Sequence, residues 1–192
     1  MKGNTTLPTT AQLEKEVARV SYRARLGRVL RSTICALVIV AAAAVLIATL
    51  WLPILQIYGS SMTPTLKEGE IVVAVKGSTV RTGDVIAFYY NNKMLVKRVI
   101  ASSGQWVNIN EDGTVYVNNV EIDEPYITEK ALGDCDLKLP YQVPDNRYFC
   151  MGDHRSTSVD SRHTEIGCVS EEQIVGKIVL CVWPMERMGR VG

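Results

Sequence analysis

One uninterrupted apolar segment constrains this chain more than any other feature. Residues 32–66 contain no Asp, Glu, Lys or Arg, and residues 34–52 are mostly Ile, Leu, Val and Ala. A helix that crosses a membrane needs about 20 such residues. A cleaved signal peptide is the alternative, but its apolar region spans about 7–15 residues and follows a short polar start. Because a 31-residue polar segment comes first here, we expect a retained membrane helix over residues 32–53.

The arginines on one side of this segment predict its orientation. Five arginines lie within residues 19–31, whereas the first charged residue beyond the span is Lys67. Positively charged flanks stay in the cytoplasm. We therefore expect a single-pass cell-membrane protein with a cytoplasmic basic segment at residues 1–31 and an extracytoplasmic domain at residues 54–192. Residues 11–31 are expected either to form a short helix on the inner membrane surface or to be disordered.

Charge and cysteine content exclude several functional classes. The formal net charge of +1 over 192 residues gives no overall field that would attract nucleic acid. The five cysteines show no CxxC spacing and no histidine at a ligand interval, so neither a metal site nor a cofactor is expected. Cys35 lies in the apolar segment. The other four cysteines are either buried thiols or two disulfides, and three pairings are open.

Beyond the span, short alternating runs separated by turn residues predict antiparallel strands. Asn91 and Asn92 suit the left-handed positions of a hairpin turn. A less regular stretch covers residues 124–145, and a short helical piece is expected around Glu171. The fold class is therefore mainly β, with coiled antiparallel sheets attached to one membrane helix. The predicted strands cover residues 70–75, 85–90, 94–100, 106–110, 114–117, 120–122, 147–151 and 175–183.

Ser61 and Lys97 together favour a serine/lysine nucleophilic site. Ser61 lies in a turn-rich segment, and on residue type alone a structural turn serine is the commoner case. Lys97 lies among apolar residues of a predicted strand, where an exposed edge lysine is the alternative. Burial would lower the lysine pKa from about 10.4 by up to ~3–5 units. A neutral amine within ~3 Å of a serine hydroxyl is a general base that activates it.

The segment GDHRSTSVDSR at residues 152–162 is dense in serine, acid and arginine. It is either a solvated loop or a rigid one whose own acids and arginines pair. Such a rigid loop would present Ser158 as a hydrogen-bond partner that holds the lysine in place. The four charged residues expected to pair within the loop are Asp153, Arg155, Asp160 and Arg162.

The chain resembles the bacterial type I signal peptidases, membrane-bound serine proteases that remove signal peptides from exported proteins. The resemblance covers most of the chain from the span onward, and its segments occur in the family's order. The single span and the WPM ending with Arg187 and Gly189 resemble Gram-positive members. The resemblance implies a coiled β-sheet catalytic domain of a kind shared with self-cleaving repressor peptidases. The matching segments are SMTPTL at 61–66, GDVIAF at 83–88, KRVI at 97–100 and residues 152–162.

The resemblance implies a role for each matching residue. Ser61 would be the nucleophile, Lys97 the general base, and Ser158 the residue that orients the lysine. Asp160 and Arg162 would form a supporting ion pair, with Asp153 and Arg155 near it.

The resemblance also implies an oxyanion site. The backbone N–H of Ser61 would supply one donor. Some members carry a second donor, a serine hydroxyl, two residues before the nucleophile. Gly59 occupies that position here, so the second donor must be backbone or water. His154 replaces a frequent asparagine, and residues 101–104 replace a usual Gly-Leu-Pro-Gly.

Family substrates carry small residues, usually alanine, one and three positions before the cut. The substrate would lie extended beside the Lys97 strand, with backbone hydrogen bonds giving affinity and pockets reading alternate side chains. The implied partners are preprotein signal peptides, membrane lipid and the protein-export channel. The positions implied to line the pockets are Ile57, Met62, Leu66, Val72, Leu95 and Val96.

Two other functions remain as alternatives. A self-cleaving repressor-type peptidase would share the dyad and a related fold, but the span and the lack of a DNA-binding helical domain disfavour it. An inactive membrane-tethered homologue that only holds signal peptides is disfavoured because Ser61, Lys97 and Ser158 are all present.

Overall fold

A computed structural model describes residues 9–191, so the predictions for residues 1–8 and 192 lie outside it. The chain divides into two compact units at Ala48. The first is formed by helix α1, Thr10–Trp51, which continues into the start of the second. It is the one described helix that is long and apolar enough to cross a membrane.

Helix α1 includes both the basic segment and the apolar segment. Its 42 residues run without a break from the arginine-rich part into the apolar part. At 1.5 Å per residue it is about twice as long as the hydrocarbon core of a membrane is thick. Residues 11–31 are thus helical rather than disordered, because nothing there breaks a helix. The helix ends at Trp51, two residues before Pro53, whose ring cannot continue it.

The second unit is built of antiparallel strands, which confirms the mainly β prediction. The larger sheet has the order β1-β2-β11-β3-β4-β9-β10, with β12 paired to β11, and the smaller sheet has the order β7-β6-β5-β8. Two 3₁₀ turns, Glu171–Gln173 and Met185–Arg187, flank β11. The strands are β1 Ile54–Gln56, β2 Ile71–Val75, β3 Val85–Tyr90, β4 Lys93–Ser102, β5 Trp106–Ile109, β6 Val115–Val117, β7 Val120–Glu121, β8 Tyr141–Gln142, β9 Arg147–Met151, β10 Val169–Ser170, β11 Ile174–Trp183 and β12 Gly189–Arg190.

The longer strands match their predictions closely. Strands β3 and β9 have the predicted bounds, and the hairpin turn has Asn91 and Asn92 at φ 43° and 62°. The sequence did not reveal β1, β8, β10 and β12, whose runs of two or three residues show little alternation. The equally short β6 and β7 were predicted because turns at residues 112–113 and 118–119 mark their limits. All five cysteines are unpaired thiols, which decides between the two alternatives for them.

Strand β4 has one paired edge and one that is only half paired. It pairs with β3 along Lys93–Arg98, but its other edge meets β9 only from Arg98 onward. The edge of residues 93–97 is therefore open on that side. Lys97 stands at the last position before the second partner strand begins, and this places it at the end of an open strand edge.

Candidate active site

The structure places Lys97 and Ser61 in direct contact. Lys97 Nζ lies 2.7 Å from Ser61 Oγ, a hydrogen-bond distance, although the two residues are 36 positions apart. Lys97 is only 3% exposed, so it is not the exposed edge lysine that was the alternative. Ser61 lies in a turn that Thr63 closes by donating its N–H to the Ser60 carbonyl at 3.0 Å. The contact supplies the geometry that a general base and a nucleophile require.

The surroundings of Lys97 favour its neutral form. Burial lowers its pKa from 10.5 to about 8, since removal from water penalises the ammonium. The negative charge of Asp160 opposes this shift, and the positive charge of Arg162 adds to it. A substantial fraction of the amine is therefore neutral at mildly alkaline pH and can accept a proton.

The segment at residues 152–162 packs directly behind the nucleophile. The backbone N–H of His154 donates to the Ser61 carbonyl oxygen at 3.1 Å. A Cβ atom added to Gly152 would overlap both the Ser61 carbonyl oxygen and Ser158 Oγ. Only glycine fits at this position, because the two segments approach at backbone distance.

Asp160 and Arg162 form a fully buried ion pair. Arg162 Nη2 lies 2.9 Å from Asp160 Oδ2, and the Gly152 N–H donates to the same oxygen at 2.9 Å. Burial alone would raise the pKa of Asp160, but the hydrogen bonds and charge of Arg162 outweigh it and hold this pKa below its usual range. Asp160 therefore stays ionised beside Lys97.

The expectation that the other two charges pair within the loop is wrong. Asp153 binds Arg98 of β4 through two contacts, Nε to Oδ1 at 2.9 Å and Nη2 to Oδ2 at 2.8 Å. Arg155 instead pairs with Glu124, from the stretch predicted to be irregular. Both arginines need an acid because each is about 1% exposed, and the acids in reach come from other segments.

Ser158 makes no hydrogen bond to the lysine in this structure. Its buried Oγ has no hydrogen-bond partner of good geometry among the described residues. It lies close enough to the Asp160 carboxylate to help lower its pKa. No hydrogen bond between Ser158 and Lys97 therefore supports the orienting role that the resemblance implies for Ser158.

A cavity of about 670 Å³ opens beside Ser61 and runs along the open edge of β4. Four of the six predicted substrate-binding residues line it. Leu66 and Val72 do not line it, which corrects their assignment: both are fully buried in the core beneath it. The lining residues are Ile54, Leu55, Gln56, Ile57, Tyr58, Gly59, Ser61, Met62, Lys93, Met94, Leu95 and Val96.

Comparison with known proteins identifies a family that matches most of the chain. The sequence profile described as "Signal peptidase, peptidase S26" matches residues 30–183, which is most of the chain. The chain belongs to the signal peptidase family. Signal peptidase IB of Staphylococcus aureus (strain COL) is 38% identical over 148 residues, covering 67% of this chain and 76% of its own length.

Other signal peptidases give similar matches. Signal peptidase I of Bacillus caldolyticus is 37% identical over 160 residues, covering 73% of this chain and 86% of its own length. A crystal structure of a signal peptidase I from Enterococcus faecalis V583 is 28% identical and covers 52% of this chain and 97% of its own, with a TM-score of 0.43. The family match and the two sequence relatives support a serine peptidase, and the apolar N-terminal helix fits its membrane anchor.

Three residues of this signal peptidase site were missed at the sequence level. Arg98 is buried next to Lys97 in the sequence and binds the Asp153 carboxylate. Its guanidinium carbon lies 3.9 Å from the centre of the Tyr126 ring, so Tyr126 is the second missed residue. Glu124 is the partner of Arg155. One signal was present in the sequence: Arg98 points to the face of β4 opposite Lys97, and a buried arginine there requires an acid.

Proposed function

We propose that this protein is a type I signal peptidase that cuts preproteins after small residues, with Ser61 as nucleophile and Lys97 as general base. The 2.7 Å contact between the buried Lys97 amine and the Ser61 hydroxyl carries the proposal. The contact lies at the end of a cavity that an extended peptide can enter. Family membership supports the reaction, and this contact supports the assignment of the two residues.

The proposed reaction uses the dyad twice. Neutral Lys97 accepts the Ser61 proton as Oγ bonds to the scissile carbonyl carbon, and the resulting ammonium then protonates the departing amine. Water, deprotonated by Lys97, releases the acyl group and restores Ser61. The Ser61 N–H donates no hydrogen bond to a described residue, so it is available to the developing oxyanion. Gly59 lines the same cavity with no side chain to offer.

The open edge of β4 supports an extended substrate. Residues 93–96 carry backbone groups that β9 does not pair, and a peptide strand added there would gain ladder hydrogen bonds. Every second side chain of such a peptide would face the cavity wall, where Ile57, Met62 and Val96 leave room for small side chains. This arrangement supports Ala-X-Ala specificity.

Incubation of the purified full-length protein with a preprotein is expected to release the mature chain, cut after Ala-X-Ala. N-terminal sequencing of the product identifies the bond. Ser61→Ala is expected to lower the rate by at least about 10³-fold, because it removes the atom that forms the acyl intermediate. Ser60→Ala is the matched control, since it changes the neighbouring hydroxyl. Equal cleavage by Ser61→Ala, or signal-peptide binding without turnover by the wild type, would refute the proposal.

We also propose that the arginine-rich end is cytoplasmic and the β domain extracytoplasmic, where preproteins leave the export channel close to membrane lipid. The five arginines within residues 19–31 support this orientation. A protease added to intact cells stripped of their wall is expected to digest the β domain and spare a tag at the N-terminus. Protection of the β domain until the cells are lysed would reverse the orientation.

A further inference from the structure

The end of the chain reaches back to the segment that carries the nucleophile. Arg187 closes the 3₁₀ turn Met185–Arg187 that follows β11. Its Nη2 atom donates to two backbone carbonyl oxygens, that of Pro64 at 3.1 Å and that of Thr65 at 2.9 Å. These residues come only three and four positions after Ser61. The dyad itself makes no use of Arg187.

The same guanidinium is held by a buried acid. Arg187 Nε lies 2.5 Å from Glu70 Oε1, and the two side chains form an ion pair. The Glu70 side chain is 3% exposed, whereas that of Arg187 is 35% exposed. The other oxygen of Glu70 accepts the Lys67 N–H at 3.0 Å. Arg187 thus joins both ends of the segment that connects Ser61 to β2.

Glu70 also connects its ion pair with Arg187 to the cavity. Its backbone carbonyl accepts the Ile57 N–H at 2.8 Å, and the Ile57 carbonyl accepts the Gly69 N–H at 2.9 Å. Ile57 is one wall of the cavity beside Ser61. A shift of Glu70 would therefore move the cavity wall as well as the nucleophile.

Thr65 is held from two directions. Its Oγ1 donates to Asp153 Oδ2 at 2.5 Å and accepts from Arg98 Nη2 at 3.2 Å, while its carbonyl oxygen accepts from Arg187. The side-chain contacts come from the catalytic side of the domain, and the carbonyl contact comes from the end of the chain. Loss of either anchor leaves the turn free to pivot about the other.

We infer that Arg187 is a positioning residue for the nucleophile, fixing the turn that sets Ser61 Oγ against Lys97 Nζ. The inference rests on the proposed function and deepens it. Misplacement of a reacting group by about 1 Å can cost about 10²-fold in rate. A positioning role predicts a loss in kcat, whereas a purely structural staple predicts a loss of folded protein with kcat per folded molecule unchanged.

The test compares three variants of the full-length protein in detergent micelles. Arg187→Ala is expected to lower kcat for a preprotein by about 10–100-fold and to change KM by less than about threefold. Arg187→Lys keeps a charge for Glu70 but lacks the planar guanidinium that reaches Glu70 and the two carbonyls at once, so its kcat should lie between those of wild type and Arg187→Ala. Arg190→Ala, an exposed arginine three residues later, is the control and should match wild type.

A second readout separates positioning from folding. The Arg187 side chain is partly exposed, so added methylguanidinium can enter the space left in Arg187→Ala and is expected to raise its kcat several-fold. It should not raise the kcat of wild type or Arg190→Ala. An unchanged kcat in Arg187→Ala would overturn the inference. So would a loss that the unfolded fraction fully explains, or a loss confined to KM.

Failure of the proposed function would look different. If wild type does not cut preproteins, the rate at which a small activated ester acylates Ser61 still reports the geometry of the dyad, because such an ester needs no signal-peptide site. The inference then requires Arg187→Ala to slow this acylation by about 10–100-fold, and an equal rate in both proteins would refute it.

Discussion

Replacement of Lys97 with methionine is expected to abolish cleavage and, at the same time, to stabilise the fold. Methionine has a similar length but no basic atom that could accept a proton, so Ser61 would lose the base that contacts it. General-base catalysis contributes about 10²–10⁴-fold, and the same group protonates the leaving amine. We therefore expect a rate at least about 10³-fold below wild type.

The gain in stability follows from the pKa of Lys97. This pKa is lowered from 10.5 to about 8 on folding, and each unit corresponds to about 1.4 kcal/mol. Below pH 8 the folded protein thus bears the full cost of a buried ammonium, about 3 kcal/mol. Methionine removes this cost but also the hydrogen bond to Ser61, worth about 1 kcal/mol. The net gain expected at pH 7 is about 2 kcal/mol.

The sign of the pH dependence provides a separate check. Between pH 8 and 10.5 the unfolded chain binds more protons at this position than the folded protein, so wild-type stability rises with pH there. Lys97→Met lacks that rise, and its advantage over wild type should disappear near pH 10, where the remaining cost of the ammonium equals the lost hydrogen bond of about 1 kcal/mol. Denaturant unfolding followed by tryptophan fluorescence at pH 7 and at pH 10 measures both effects. Lys138→Met, an exposed lysine, is the control and should change neither activity nor stability.

Wild-type activity should also depend on the protonation state of Lys97. The value of kcat/KM is expected to fall about tenfold per pH unit below pH 8, because only the neutral amine can accept the Ser61 proton. A wild-type rate that stays constant as the pH drops through this range would show that Lys97 is not the base. Comparable cleavage by Lys97→Met would show the same.

Features of the fold that depend on local pattern were predictable from the sequence. The apolar segment predicted the long apolar helix, and the alternation of apolar and polar residues predicted the longer strands, because both signals lie within nearby residues of the sequence. The sequence did not show that one helix continues from the basic segment into the apolar one, because a change in polarity does not end a helix. Its end at Trp51 lies two residues before Pro53, whose ring cannot continue a helix.

The partners of the buried charges were not predictable in the same way. Arg98 and Asp153 are 55 residues apart, and Glu124 and Arg155 are 31 apart, so spacing within residues 152–162 pointed to the wrong pairs. Leu66 was assigned to the cavity because its segment matches the family motif. Its side chain turns into the core, and the sequence alone does not show which face of a turn is covered.

Removal of the Asp160 carboxylate is expected to cause the largest loss of stability of any single change in the site. Asp160→Ala leaves the charged Arg162 guanidinium fully buried without its carboxylate partner. In the wild type the Asp160 carboxylate accepts hydrogen bonds from Arg162 and from the Gly152 N–H. Breaking a buried pair in this way costs about 3–5 kcal/mol. A domain has only about 5–15 kcal/mol in total, so the variant should be marginally folded.

Denaturant unfolding at pH 7 measures this loss, and Asp145→Ala, an exposed aspartate, should change stability by less than about 0.5 kcal/mol. A double variant separates the contribution of the intact ion pair to the free energy of unfolding from the cost of removing only one partner. Asp160→Leu with Arg162→Met removes both charges and should recover most of the stability, because two apolar side chains often replace a buried pair without loss.

The residual activity of Asp160→Ala tests the electrostatic coupling to the base. Asp160 raises the pKa of Lys97 against the effect of burial, so without it this pKa should fall below about 8. The acidic limb of the pH–rate profile should then move to lower pH, even as the maximal rate drops. A limb that does not move would mean that Asp160 serves only to neutralise Arg162, and that burial alone sets the protonation of Lys97.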